Sequence, residues 1–254
     1  MIILAWQVIR LIITVFFNVG LPQLSLIMMV LRPEDIVANI PMNSRKNVAN
    51  KNALIIFTKY PRPGFVKTRL GKAIGKKNAA SLYKLFVETI VTSTQDYQFR
   101  RVIFFTPTNK KEKFVRWLGR DLEFIPQRGN DLGERMFNAF NHVFAQGAER
   151  VVIIGTDSPL IDNEVANEAF RRLKIRDCVI GPSLDGGYYL LGLSRIFREI
   201  FENIDWGTNK VFSQTLKAFK SANFKPSILK EDFDVDDIRS LALLNKRLEK
   251  ELST

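Results

Sequence analysis

From Asn52 onward, six short runs rich in branched and aromatic residues alternate with stretches whose apolar positions recur at helical spacing. Such an alternation is the signature of an α/β fold: a mostly parallel sheet with helices on both faces. The predicted strands are "ALIIFT" (53–58), "RVIFFTP" (101–107), "LEFIPQ" (122–127), "RVVIIGT" (150–156), "DCVIGP" (177–182) and "YYLLGL" (188–193). Leu82, Leu85, Phe86, Thr89 and Ile90 form one core-facing helical stripe, and Leu132, Met136, Phe140, Val143 and Phe144 another. Asp131 with Glu134 offers an acidic capping box, and Asp162 and Thr208 are expected as N-caps of the helices that follow them. Loops are short enough for one domain over residues 46–254.

Residues 1–45 are of another composition. Leu11 to Leu31 is twenty-one residues without a charge, long enough to span a hydrocarbon core as a helix. The cations that follow outweigh Arg10, which as an anchor would leave the remainder on the cytoplasmic side of a membrane. The competing reading starts translation at Met42 and makes the upstream stretch a misassigned start. Either way the expected location is cytoplasmic.

Composition removes several chemistries. The single histidine, His142, lies inside a helical pattern, so no Cys/His zinc cluster can be assembled, and a Ser-His-Asp triad would depend on this one residue. The single cysteine, Cys178, excludes an internal disulfide. Any metal must be held by oxygen, which favours Mg2+ or Mn2+. The formal charge of +12 points to polyanionic partners without choosing among them.

In a parallel α/β sheet, ligands collect beyond the carboxyl ends of the strands. "KYPRPGFVKTRL" follows the first strand: its prolines stiffen the backbone, Gly64 allows a close turn, and Lys59, Arg62, Lys67 and Arg69 supply cations for a di- or triphosphate. The same stretch, taken alone, is also what a solvated basic bend looks like. It is not a Walker loop. "QRGNDLGERM" follows the third strand; Gln127 and Gly129 are expected on the nucleotide side, Asp131 and Arg135 on the acceptor side. "GTDSPL" ends the fourth strand and delivers Asp157, either to a divalent ion bridging protein and phosphates or to the cap of the next turn.

Three later segments complete the set. "GPSLDGGYYLLG" places Asp185 before Gly186, Gly187 and Tyr188, as a ligand-approach loop or a tight hairpin. "NIDWGTNKVF" offers Asp205, Trp206 and Thr208, to floor an acceptor pocket or simply to pack. "EDFDVDDIRSL" concentrates Asp232, Asp234, Asp236 and Asp237, which suits a metal or a helix start.

Taken in order, these motifs resemble an uncharacterised transferase family of the glycosyltransferase-A, nucleotide-diphospho-sugar transferase superfamily, some of whose members are linked to arsenosugar pathways or to radical-SAM enzymes. The likeness runs from about Ala53 to Leu241, and a more distant one reaches the molybdenum-cofactor and phospholactate guanylyltransferases. It implies a single Rossmann-like sheet of GT-A type, phosphate contacts from Lys67 and Arg69, a metal on Asp157, and Asp185 with Tyr188 on the acceptor side. Relatives often read "DVDTPEDL" where this chain reads "DVDDIRSL", so that Asp237 replaces a threonine and Ser240 an acid. Asp236 is the expected second metal ligand, with Asp234 as the substitute.

The reaction expected is metal-dependent transfer of a glycosyl group from a nucleotide sugar to a small acceptor, with Asp185 or Asp205 as general base. Nucleotidyl transfer with release of pyrophosphate uses the same loop and metal. A non-catalytic basic module is the third reading. No helix-turn-helix, RNP or zinc pattern supports a nucleic-acid partner.

Overall fold

The run Asn52–Lys59 forms strand β1, buried along most of its length, and a seven-stranded sheet is built outward from it. The structure is a computed structural model that describes residues 51–96 and 98–252; the apolar N-terminal extension lies outside the described residues. After β1 come α1 (Thr68–Ile74), α2 (Lys76–Ser93), β2 (Arg100–Thr106), α3 (Lys111–Leu118), β3 (Glu123–Pro126), α4 (Leu132–Ala145) and β4 (Arg150–Ile154). The chain continues through α5 (Asn163–Arg172), β5 (Cys178–Pro182), β6 (Tyr188–Leu193), a 3-10 turn at Arg198–Phe201, α6 (Val211–Ser221), β7 (Pro226–Ile228) and α7 (Ile238–Leu252). None of the described helices is long and apolar enough to cross a membrane.

The chain divides into two compact units. The larger comprises residues 49–60 and 86–235 and holds the whole sheet, in the order β3-β2-β1-β4-β6-β5-β7. β1 pairs in parallel with β2 and β4, β2 with β3, and β5 with β7; only β6 runs antiparallel, between β4 and β5. Because side chains alternate across a strand, each central strand feeds two cores. Leu54 and Ile56, Ile103 and Phe105, Val152 and Ile154 face a layer closed by Phe114 of α3 and by Ala166, Ala169 and Phe170 of α5. Ala53 and Ile55, Val102 and Phe104, Val151 and Ile153 face the other, closed by Met136, Ala139, Phe140 and Val143 of α4 and Phe219 of α6. The doubly covered, mostly parallel sheet expected from the alternation is what forms.

The smaller unit takes residues 61–85 and 236–254 together with the N-terminal segment. Its described part consists of α1, the first half of α2, and α7. Leu70 and Ile74 of α1, Ala79, Ala80, Leu82 and Tyr83 of α2, and Leu241, Leu244 and Leu248 of α7 are buried, and on α2 and α7 they recur at the three- and four-residue spacing of a core stripe.

Two of the three helix starts expected from the sequence carry the local chemistry that a cap requires. Asp131 accepts from the Glu134 amide at 2.8 Å while the Glu134 carboxylate accepts from the Asn130 amide at 2.8 Å. The capping box thus forms with its return bond shifted one residue upstream. Asp162 accepts from the amides of Glu164 and Val165. Thr208 does not cap α6, which begins after Lys210. It closes a turn instead, its amide and hydroxyl both donating to the Asp205 carbonyl, with Gly207 at φ +81 supplying the left-handed position.

Candidate active site

In the larger unit the parallel strands end toward one edge: Lys59 of β1 is in register with Thr106 of β2, Phe105 of β2 with Pro126 of β3, and Ile56 of β1 with Ile154 of β4. Every loop following these strands therefore leaves from one edge. The β5–β6 hairpin turns at the same edge, since Leu190 near the start of β6 pairs with Ile154. Gln127 ties the edge together. Its side-chain amide donates to the carbonyls of Phe104 (2.9 Å) and Thr58 (3.3 Å), and its backbone amide to Phe105. This expected nucleotide ligand thus has its side-chain donor engaged by strand ends.

Asp157 emerges from the end of β4, half-buried, and its carbonyl accepts from the Val235 amide at 2.9 Å. The next residue, buried Ser158, donates from its hydroxyl to Asp234 Oδ1 at 2.5 Å and lies 3.1 Å from the Phe233 carbonyl oxygen. Two segments seventy-six residues apart are stitched so that Asp157 and Asp234 adjoin. Upstream, Asp232 exchanges backbone bonds with Pro182 and Leu184, which joins the acidic segment to the hairpin as well.

The hairpin explains Asp185 and its glycines. Asp185 Oδ1 accepts from the Gly187 amide at 2.9 Å, and Ser183 closes the turn on Gly187. Gly186 sits at φ +86, and a Cβ there would lie 2.2 Å from the Asn209 carbonyl oxygen, so no side chain fits. Asp185 remains exposed at the tip. Tyr188 turns inward: its hydroxyl lies 3.7 Å from the Met136 sulfur, and burial raises its pKa above the ordinary tyrosine value. That side chain is partly buried and packs against the core.

Asp205 is engaged by Gln214, whose amide donates to its carboxylate at 3.0 Å while its amide oxygen accepts from the Asp205 backbone at 2.8 Å; Lys210 stands 3.8 Å away. Trp206 lies over the start of α4, where a Cβ on Gly133 would meet the indole nitrogen at 2.6 Å. Arg135 donates to the Gly129 carbonyl at 3.0 Å and fixes the loop, and Gly129 is itself hemmed by the Arg135 amide. Asp131 and Trp206 share a cleft of about 500 Å³ whose lining includes Glu134, Phe137, Arg198 and Glu202. Sequence reasoning had no signal for Phe137, Arg198 or Glu202, because the segment carrying the latter two joins the cleft only through tertiary packing.

In the smaller unit the basic loop is ordered by its own chemistry. Arg62 to Phe65 form a turn closed at 3.0 Å, with Pro63 second and Gly64 third at φ +81, as a type II turn demands. Lys67 follows in the left-handed region (φ 46, ψ 48), uncommon for a side chain of its size. Its ammonium bonds Asp236 Oδ1 at 3.0 Å, and the Arg69 guanidinium bonds Asp236 Oδ2 at 2.6 Å. Burial pushes the Asp236 carboxyl up, but Lys67 and Arg69 outweigh it and hold the group below the ordinary carboxylate range. The sequence expectation had named Asp236 as a metal ligand; both of its oxygens are engaged by cations.

Asp237, expected to be metal-binding or a helix-start residue, serves the helix. Its Oδ1 accepts from the amides of Arg239 and Ser240, and the Ser240 hydroxyl accepts from the amides of Asp236 and Asp237. Asp237 and Ser240 thus cap the start of α7 together. Cys178 is buried, and burial with the nearby Asp177 charge pushes its thiol up to about 12, which removes it as a nucleophile. His142 is exposed on α4, 3.0 Å from the Gln146 amide.

Among the described residues no group of three His, Cys, Asp or Glu side chains is placed to hold a metal. Mg2+ takes one or two carboxylates and completes its shell with water and substrate phosphates. Asp157 and Asp234 are carboxylates of the kind such an ion takes, and Ser158 joins the segments that carry them.

A family model described as an uncharacterised protein conserved in bacteria (DUF2064) matches residues 89–208. A protein of Desulfovibrio desulfuricans G20, solved at 1.90 Å and provisionally assigned as a nucleotide-diphospho-sugar transferase, is 33% identical, with a TM-score of 0.75 over 80% of this chain and 96% of that one. The 4-diphosphocytidyl-2C-methyl-D-erythritol synthase of Anaerococcus prevotii DSM 20548 (8% identity, TM-score 0.53, 78% and 97% covered) shares the fold. So does a Mycobacterium sp. strain JC1 homologue of a Mycobacterium tuberculosis protein (11%, 0.51, 80% and 98%). No curated protein matches the chain. The sequence identity and the near-complete coverage of the Desulfovibrio protein place this chain in the nucleotide-diphospho-sugar transferase superfamily.

Proposed function

We propose that the protein transfers a glycosyl group from a nucleotide-diphospho-sugar to a small acceptor, with Mg2+ or Mn2+ held by Asp157 and Asp234. The observation that carries this reading is the stitching of Asp157-Ser158 to Phe233-Asp234-Val235 at the carboxyl edge of a parallel sheet. The ion, when bound, would offset the charge of the departing nucleoside diphosphate. Ser158 contributes by fixing the Asp234 carboxylate through Oδ1, leaving Oδ2 outside that bond. Within the smaller unit, Arg69, whose side chain is 64% exposed beside Asp236, is the candidate for a phosphate contact, while the Lys67 ammonium is buried against the same carboxylate.

For the acceptor, Asp185 is the better general-base candidate. It is exposed, and its turn uses only Oδ1, whereas the Asp205 carboxylate is engaged by Gln214 and faces Lys210. The relative from Desulfovibrio supports a nucleotide-sugar donor through its own assignment.

The test is incubation with a panel of nucleotide sugars and nucleoside triphosphates, with and without Mn2+, following nucleoside diphosphate and pyrophosphate separately. Metal-dependent release of the diphosphate that is lost in Asp157→Asn is the expected result. Pyrophosphate release from triphosphates would establish nucleotidyl transfer instead.

A further inference from the structure

Between Tyr60 and Glu88 the chain contains no aspartate or glutamate, yet residues 61–85 hold seven lysines and arginines. These twenty-five residues of the smaller unit thus carry more than half of the protein's formal charge of +12. Lys67 and Arg69 share the single Asp236 carboxylate. Arg62, Lys72, Lys76 and Lys77 are exposed, as is Lys84 further along α2.

Local geometry gathers most of them. Gly75 joins α1 to α2 at an elbow, so that Lys72 in the last turn of α1 stands near Lys76 and Lys77 in the first turn of α2. The Lys76 stem runs along the Arg62–Phe65 turn, its Cδ 3.4 Å from where a Gly64 Cβ would sit. At the tip of that turn Phe65 is 62% exposed, with the Arg62 guanidinium 4.0 Å over its ring. Lys77, Ser81 and Lys84 continue an exposed stripe along α2. An exposed aromatic on a turn flanked by an arginine and a lysine is the chemistry of a surface that meets an anionic bilayer: cations attract the headgroups and the ring enters the interface.

We propose that this face docks on an anionic lipid surface. Lipid is favoured over nucleic acid by the exposed phenylalanine at its tip, and by the uncharged Leu11–Leu31 run in the same chain, which also suits a bilayer.

The experiment is flotation of the full-length protein with phosphatidylcholine vesicles, with and without phosphatidylglycerol, at low and high salt. The lipid concentration is chosen so that binding to the neutral vesicles is partial. The wild type should bind the anionic vesicles more tightly, with the gap closing at high salt. Each lysine near the surface contributes about fivefold, so Lys72→Glu/Lys76→Glu/Lys77→Glu should lower affinity for anionic vesicles by about a hundredfold or more. Binding to neutral vesicles should stay unchanged. A second readout is Phe65→Trp, whose emission should shift to the blue, relative to the parent, only with anionic vesicles. Equal binding of wild type and triple variant to anionic vesicles would overturn the proposal. So would equal binding to both vesicle types, or tighter salt-sensitive binding to a short DNA duplex than to the vesicles.

Discussion

Asp236 joins two cations of unlike exposure, and removing it has a magnitude that can be worked out. The Lys67 side chain is 1% exposed, the Asp236 side chain 35% and that of Arg69 64%. The Arg69 arm lies in water, where such a pair contributes about 0–1 kcal/mol. The Lys67 arm differs: without Asp236 the buried ammonium loses its carboxylate partner, and breaking a fully buried pair in this way costs about 3–5 kcal/mol. Discounted for the partial exposure of Asp236, Asp236→Ala should destabilise by about 2–3 kcal/mol. The double variant Asp236→Ala/Lys67→Met removes the stranded charge and should recover most of the loss. Urea unfolding with a constant m-value is the assay. A single-variant loss under about 0.5 kcal/mol, or a double variant less stable than Asp236→Ala, would refute the reasoning. The sign with pH follows. The folded pKa lies below the unfolded one, so the contribution is complete above about pH 4 and is lost as pH falls through the folded value. The difference between wild type and Asp236→Ala should shrink in that acid range.

Other perturbations read other parts of the molecule. Asp157→Ala should abolish Mn2+-dependent nucleotide binding in calorimetry while leaving thermal unfolding nearly unchanged; retained binding would remove Asp157 from the site. Ser158→Ala removes a hydroxyl bonded to a carboxylate in a buried position, and should cost about 1.5–3 kcal/mol in denaturant unfolding. It should also weaken Mn2+ affinity by about tenfold or more if Ser158 orients Asp234. Gly186→Ala puts a Cβ against the Asn209 carbonyl in left-handed backbone, so a loss of about 3 kcal/mol or more in chemical unfolding is expected. Arg69→Ala should weaken nucleoside diphosphate binding far more than nucleoside binding; equal losses would make the loop structural.

What could be read in advance divides along physical lines. Strand positions were legible because β1, β2 and β4 are buried on both faces and spell near-continuous apolar runs. β7 escaped notice: it has three residues and begins with proline between polar neighbours, so no pattern marks it. The caps at Asp131 and Asp162 were visible because cap and amide are neighbours in sequence. Thr208 misled because a hydroxyl before a helix can close a turn as readily as cap it. Asp236 pairs with Lys67 and Arg69 across 169 and 167 residues, and Gln127 reaches Phe104 and Thr58 across 23 and 69. No local rule reports such partners. The hairpin at Asp185 was held open between ligand loop and tight turn; a turn forms, and Gly186 also lets the Asn209 backbone approach, a contact 23 residues away that no local pattern reports.

The aspartates between Glu231 and Ile238 occupy four different posts. Asp232 accepts from its successor's amide, Asp234 from Ser158, Asp236 from two cations, and Asp237 from the first amides of α7. Their order is therefore a spacing code in which the number of residues matters as much as their identity. Deleting or inserting one position ahead of Asp232 would take every carboxylate off its post at once, a failure that no single side-chain replacement could reproduce.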